Sequence, residues 1–90
     1  MKVVRITAIW CMSCLVMKRV WDKVFEDYPE FEIIDYDFDD DEDKLKEYNP
    51  GKILPVVIFL KDDKEVFRIT GEKSKKQMKK LLEEAFDEKR

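Results

Sequence analysis

No histidine occurs in this 90-residue chain, and its only cysteines are Cys11 and Cys14. A closed zinc site needs four ligands, so the cysteines could serve one only if it were shared between chains. Also missing is any apolar run approaching the roughly 20 residues that span a bilayer. The start, Met1-Lys2-Val3-Val4-Arg5, has neither the apolar stretch nor the small-residue cleavage site of a signal peptide. No basic excess exists: 18 Lys and Arg face 21 Asp and Glu, and the net charge of −3 gives no general attraction for nucleic acid or anionic lipid. With no internal repeat and no low-complexity linker, residues 1–90 read as a single domain. These absences point to a cytoplasmic protein without membrane or nucleic-acid partners. In that reducing compartment a cysteine pair is more often catalytic or metal-binding than a structural staple.

What is present centres on Trp10-Cys11-Met12-Ser13-Cys14, where an apolar extended run gives way to a helical pattern. A sulfur at a helix N-terminus meets unpaired backbone N–H groups and the positive end of the helix dipole, which stabilise a thiolate. Two intervening residues bring Cys14 round one turn, close enough to form a small disulfide ring. Cys11 is then expected to be exposed and nucleophilic, Cys14 more buried and resolving. Three other readings stand beside this one: ordinary core cysteines, half of a zinc site shared between chains, and a clasp for a soft metal.

Along the chain, Val3 to Trp10 is nearly continuous in apolar and β-branched residues and reads as a central strand. From Cys11 to Tyr28 the residues Val16, Met17, Val20, Trp21, Val24, Phe25 and Tyr28 share half a helical wheel, and Pro29 ends that helix. Phe31 to Phe38 is a second strand, parallel to the first because a helix intervenes. The run Asp39-Asp40-Asp41-Glu42-Asp43 suits the start of a short helix capped by Asp40 or Asp41, with Leu45 and Tyr48 inward; a hard cation is the other reading, without the glycine spacing of a calcium loop. After the turn Asn49-Pro50-Gly51, Ile53 to Leu60 and Glu65 to Ile69 form a hairpin around a polar turn. Ser74-Lys75-Lys76-Gln77 has the form of a capping box opening a last amphipathic helix over Met78, Leu81, Leu82, Ala85 and Phe86. Its lysines read as a solvated face, or alternatively as a patch for an acidic partner.

This order, with Trp-Cys-x-x-Cys at the first strand-helix junction and Ile53-Leu54-Pro55 opening the third strand, resembles the thioredoxin and glutaredoxin family over essentially the whole chain. The resemblance implies a minimal thioredoxin-like α/β fold: βαβαββα, with a four-stranded mixed sheet in the order 2-1-3-4, strand 3 antiparallel, flanked by three helices. It implies a cis bond between Leu54 and Pro55, the bare alternative being a trans proline at the start of an edge strand. It also implies a substrate rim of Trp10, Met12, Ile53, Leu54 and Gly71, the backbone of Leu54 pairing with an extended substrate. The activity implied is reduction of protein or small-molecule disulfides through Cys11 and Cys14, without a cofactor. Thioredoxin reductase or glutathione would be the electron donor, and the protein a monomer.

Two departures accompany the resemblance. Met12 and Ser13 stand between the cysteines, where the family carries Gly-Pro, Pro-Tyr or a His-containing pair. Arg5 stands six residues before Cys11, where thioredoxins have a buried Asp. An ion pair with exchanged charges between Arg5 and Asp35 would make Asp35 (or Asp37) the candidate proton acceptor, although an Arg-paired carboxylate is generally a weak base. The alternative is that both side chains snorkel to solvent at the sheet ends. The rival function is a binding module of the same fold that holds a soft metal or gates a protein interaction by its redox state.

Overall fold

A computed structural model describes residues 1–86. The elements are β1 (Lys2–Thr7), α1 (Met12–Val24) continued by a 3-10 turn (Phe25–Asp27), β2 (Glu32–Asp37), α2 (Glu42–Leu45), β3 (Val56–Lys61), β4 (Lys64–Thr70) and α3 (Lys75–Phe86). The sheet order is β2-β1-β3-β4. β1 and β2 are parallel, whereas β3 runs antiparallel to β1 and to β4.

Strand alternation sorts the apolar residues into two cores. On one face Val3, Val57, Phe59 and Ile69 pack with Met17, Trp21 and Val24 of α1 and Met78 and Leu82 of α3. On the other, Val4, Ile6, Val56, Ile58 and Leu60 pack with Leu45, Cys11, Cys14 and Leu54. β3 is buried on both faces, which explains its unbroken apolar run.

Several elements are shorter than the sequence pattern suggests. β1 stops at Thr7 because Ala8 begins a turn, its carbonyl accepting the Cys11 N–H at 3.1 Å. Ile9 and Trp10 are therefore exposed rather than in the strand. α1 closes at Val24, and Val16, assigned to its buried face, is exposed beside the helix start. The seven apolar positions cover too wide an arc for all of them to face the sheet. Asp41 occupies the N-cap position of α2 without a side-chain cap bond, since its Oδ2 accepts the Asp37 N–H at 2.8 Å instead. The β3–β4 turn puts Asp62 and Asp63 both at positive φ, as two-residue hairpins of right-handed twist require. At α3 the reciprocal capping bonds form: Gln77 N–H to Ser74 Oγ at 3.1 Å, and Ser74 N–H to Gln77 Oε1 at 2.8 Å.

Candidate active site

Cys11 is the N-cap residue of α1, with extended backbone (φ −95°, ψ 106°). Its Sγ accepts the Cys14 N–H at 3.1 Å, a capping bond with sulfur in place of the usual oxygen. Cys11 and Cys14 are joined as a disulfide, their Cα atoms 5.3 Å apart. Cys14 is 1% exposed and Cys11 8%. The expected order of access is present, but Cys11 shows solvent only a sliver of surface in this oxidised form.

Around the sulfurs lie exposed apolar side chains: Ile9 and Trp10 before the pair, Met12, Leu15 and Val16 on the first turns of α1, and Ile53 before Leu54. Trp10 is held in place. Its Nε1 donates to Asp39 Oδ2 at 2.7 Å, and its ring stands edge-on to Phe38, centroids 6.2 Å apart. The sequence places Phe38 at the end of a strand and Asp39 in an acidic run, with no link from either to Trp10. The signal was there, because the parallel register pairs Thr7 with Asp37 and so carries residues 38 and 39 alongside the turn leading to Cys11. Asp37 itself accepts from the Asp39 and Asp40 N–H groups at 2.8 and 2.9 Å, so it organises this turn.

The Leu54–Pro55 peptide bond is cis, and both residues are buried. Gly71 N–H donates to the Pro55 carbonyl at 2.8 Å, tying the start of β3 to the end of β4. Gly71 has φ +85°; a Cβ there would lie 3.5 Å from Ile53 Cγ2, so the backbone conformation rather than space calls for glycine.

Arg5 and Asp35 do pair, Nε to Oδ1 at 2.7 Å and Nη2 to Oδ2 at 2.8 Å. The Arg5 side chain is 17% exposed and that of Asp35 60%, so the charges are exchanged but the pair is open to water on its acidic side. The guanidinium also lies 4.9 Å from the centroid of the buried Trp21 ring. Each Asp35 oxygen thus accepts one guanidinium N–H, a bidentate pairing. Among the described residues no group of three or more His, Cys, Asp or Glu could hold a metal ion.

Next to Trp10 a cavity of about 590 Å³ opens between the end of β2, α2 and the turn at residues 49–51. Its walls include Phe38 and Asp39, the two residues that hold Trp10.

The family model described as Thioredoxin matches residues 1–84. A thioredoxin of Ophiophagus hannah is 31% identical over 84 residues, covering 93% of this chain and 74% of that protein. The "Thioredoxin H-type" of Picea mariana is 33% identical over 67 residues, 74% of this chain, which spans only 53% of that protein. Among solved structures, Fasciola hepatica thioredoxin is 26% identical with a TM-score of 0.79, covering 93% of this chain and 79% of that one. Thioredoxin 2 from Pseudomonas aeruginosa in its reduced form matches in fold with a TM-score of 0.81 at 24% identity, over 97% of this chain and 80% of that one.

Proposed function

The chain belongs to the thioredoxin family of thiol-disulfide oxidoreductases, and from that premise we propose that it reduces disulfides of proteins and small molecules. The observation carrying this reading is the capped sulfur: Cys11 at the α1 N-terminus, bonded to the Cys14 amide, with Cys14 behind it. In the reduced protein the same N–H and the helix dipole favour a Cys11 thiolate. That thiolate attacks one sulfur of the substrate disulfide; the S–S bond breaks, and the departing sulfur leaves as a thiolate that takes up a proton. Cys14, deprotonated, then attacks Cys11 Sγ, breaking the mixed disulfide and releasing the second substrate thiol. Two electrons have passed to the substrate, and Cys11 and Cys14 are left as the disulfide.

The exposed apolar rim of Trp10, Met12 and Ile53, with Leu54 and Pro55 beside it, supports an extended polypeptide as substrate. The reading further takes the protein to be a cytoplasmic, single-domain monomer with no cofactor beyond its own disulfide, re-reduced by a thioredoxin reductase or by glutathione. Equilibration against thiol buffers separates the modes of action: a potential of about −270 mV marks a general reductant, and one of about −200 mV or above glutaredoxin-like or oxidising work. Disulfide turnover should vanish in Cys11→Ser, whereas Cys14→Ser should accumulate the mixed disulfide, visible by mass spectrometry. Absence of turnover by the dithiol protein would overturn the reading in favour of a binding module.

A further inference from the structure

Closing the Cys11–Cys14 disulfide leaves one sulfur of the site open to solvent, and it is not a cysteine. Cys11 and Cys14 are 8% and 1% exposed, whereas Met12, the first residue of α1 and next to Cys11 in the chain, is 73% exposed. The chain has four methionines. Met17 and Met78 are buried in the core beneath α1 and α3, and the Met17 sulfur accepts the Lys73 N–H at 3.3 Å. Met1 is 38% exposed and precedes β1, at the opposite end of that strand from Cys11. Exposure and position together single out one thioether.

Peroxide meets these sulfurs in a set order. In the dithiol form the Cys11 thiolate is the better nucleophile; it takes up oxygen as a sulfenic acid, from which Cys14 displaces water to give the disulfide. That pair of sulfurs is then closed and buried, and further peroxide reaches Met12. The thioether lone pair attacks one peroxide oxygen, the O–O bond breaks, and the other oxygen leaves as water after proton transfer. Methionine gives up two electrons, and the peroxide accepts them.

The sulfoxide changes the surface on which it stands. Met12, Leu15 and Val16 follow at i, i+3 and i+4, so they lie together on one exposed apolar face of α1, and Trp10 precedes them. An unbranched thioether adapts to partners of different shape, whereas a sulfoxide is polar and holds its water. We propose that Met12 is an oxidation site through which peroxide restrains the docking of polypeptide substrates while leaving the dithiol intact. The inference rests on the reductant reading above and adds a regulation to the same site.

The test treats the full chain, in its disulfide form, with hydrogen peroxide, destroys the excess with catalase and locates the added oxygen by peptide mass spectrometry. Met12 should be oxidised before Met1, with Met17 and Met78 spared. After re-reduction by dithiothreitol, kcat/KM for insulin disulfides should be roughly fivefold lower and carried by KM, the scale of partly burying one apolar side chain. Turnover of bis-hydroxyethyl disulfide, too small to span the rim, should be unchanged, as should the denaturant midpoint. A methionine sulfoxide reductase should restore the insulin reaction. Met12→Leu, compared with its own untreated sample, should lose nothing to peroxide. Faster oxidation of Met1, unchanged insulin kinetics of the Met12 sulfoxide, a midpoint that falls with activity, or a loss that persists in Met12→Leu overturns the inference and leaves the reductant reading intact. If the untreated dithiol protein reduces neither disulfide, the reductant reading falls and this inference with it.

Discussion

Arg5 owes its role to register. The parallel β1–β2 ladder sets it directly opposite Asp35, so the guanidinium can spend two N–H groups on one carboxylate while its plane covers Trp21. Snorkelling past a carboxylate held that close would forgo both bonds. The pair could be proposed from the sequence by aligning two strands, and the expected order 2-1-3-4 already sets β2 at the sheet edge, where Asp35 meets water. Asp35→Asn is expected to leave the pH dependence of disulfide reduction unchanged and to cost about 1 kcal/mol or less of stability, since the acid is mostly in water. A pH profile displaced in that variant would make Asp35 the proton acceptor after all. Phe38 and Asp39 show the converse case. Their residue types are ordinary, and only strand pairing reveals that they fix Trp10.

Among the elements, α3 is the one most fully legible in the sequence. Its capping box is a local device, with Ser74 and Gln77 each serving the other's amide across one turn, so no tertiary knowledge is needed to read it. Ser74→Ala should lower stability by about 1 kcal/mol, seen as a lower denaturant midpoint with an unchanged slope. α2 is the opposite. Five consecutive acids offer interchangeable caps, and the direction in which β2 leaves the sheet decides that Asp41 reaches back to Asp37 rather than serving its own helix. The extent of β1 and the buried face of α1 depart from the sequence pattern for a related reason. Ile9 and Trp10 are apolar enough to extend β1, and Val16 to join the buried face of α1, yet all three are exposed. Periodicity does not distinguish an apolar residue that packs from one that receives a partner.

For the molecule as a whole, the β1–α1–β2 crossover and the β3–β4 hairpin were readable from their connections, whereas the order 2-1-3-4, with β3 antiparallel although α2 precedes it, was legible only through the family resemblance. Two packed faces then follow from alternation, and with them a pH limit. Tyr48 closes the α2 side of the sheet with Tyr36 and Leu45. Burial, reinforced by the Glu47 charge and by Tyr36, raises its pKa above the usual 10.0. The folded state therefore holds the phenol proton more tightly than the unfolded chain. This contribution to stability is complete below the unfolded value and is lost as pH rises through the folded one. Tyr48→Phe should flatten the fall in denaturant midpoint as pH rises above about 10. An unaltered slope there would remove Tyr48 from the alkaline balance.

The bond from the Cys14 amide to the Cys11 sulfur gives one atom two employments. In the proposed cycle it is the nucleophile, and it also finishes the first turn of α1. Serine is a good N-cap and offers an oxygen at nearly the same place, whereas alanine leaves the amide bare at a cost of about 0.5–2 kcal/mol. At position 11, then, the two substitutions ask different questions: serine silences the electron chemistry and keeps the architecture, while alanine dismantles a piece of both.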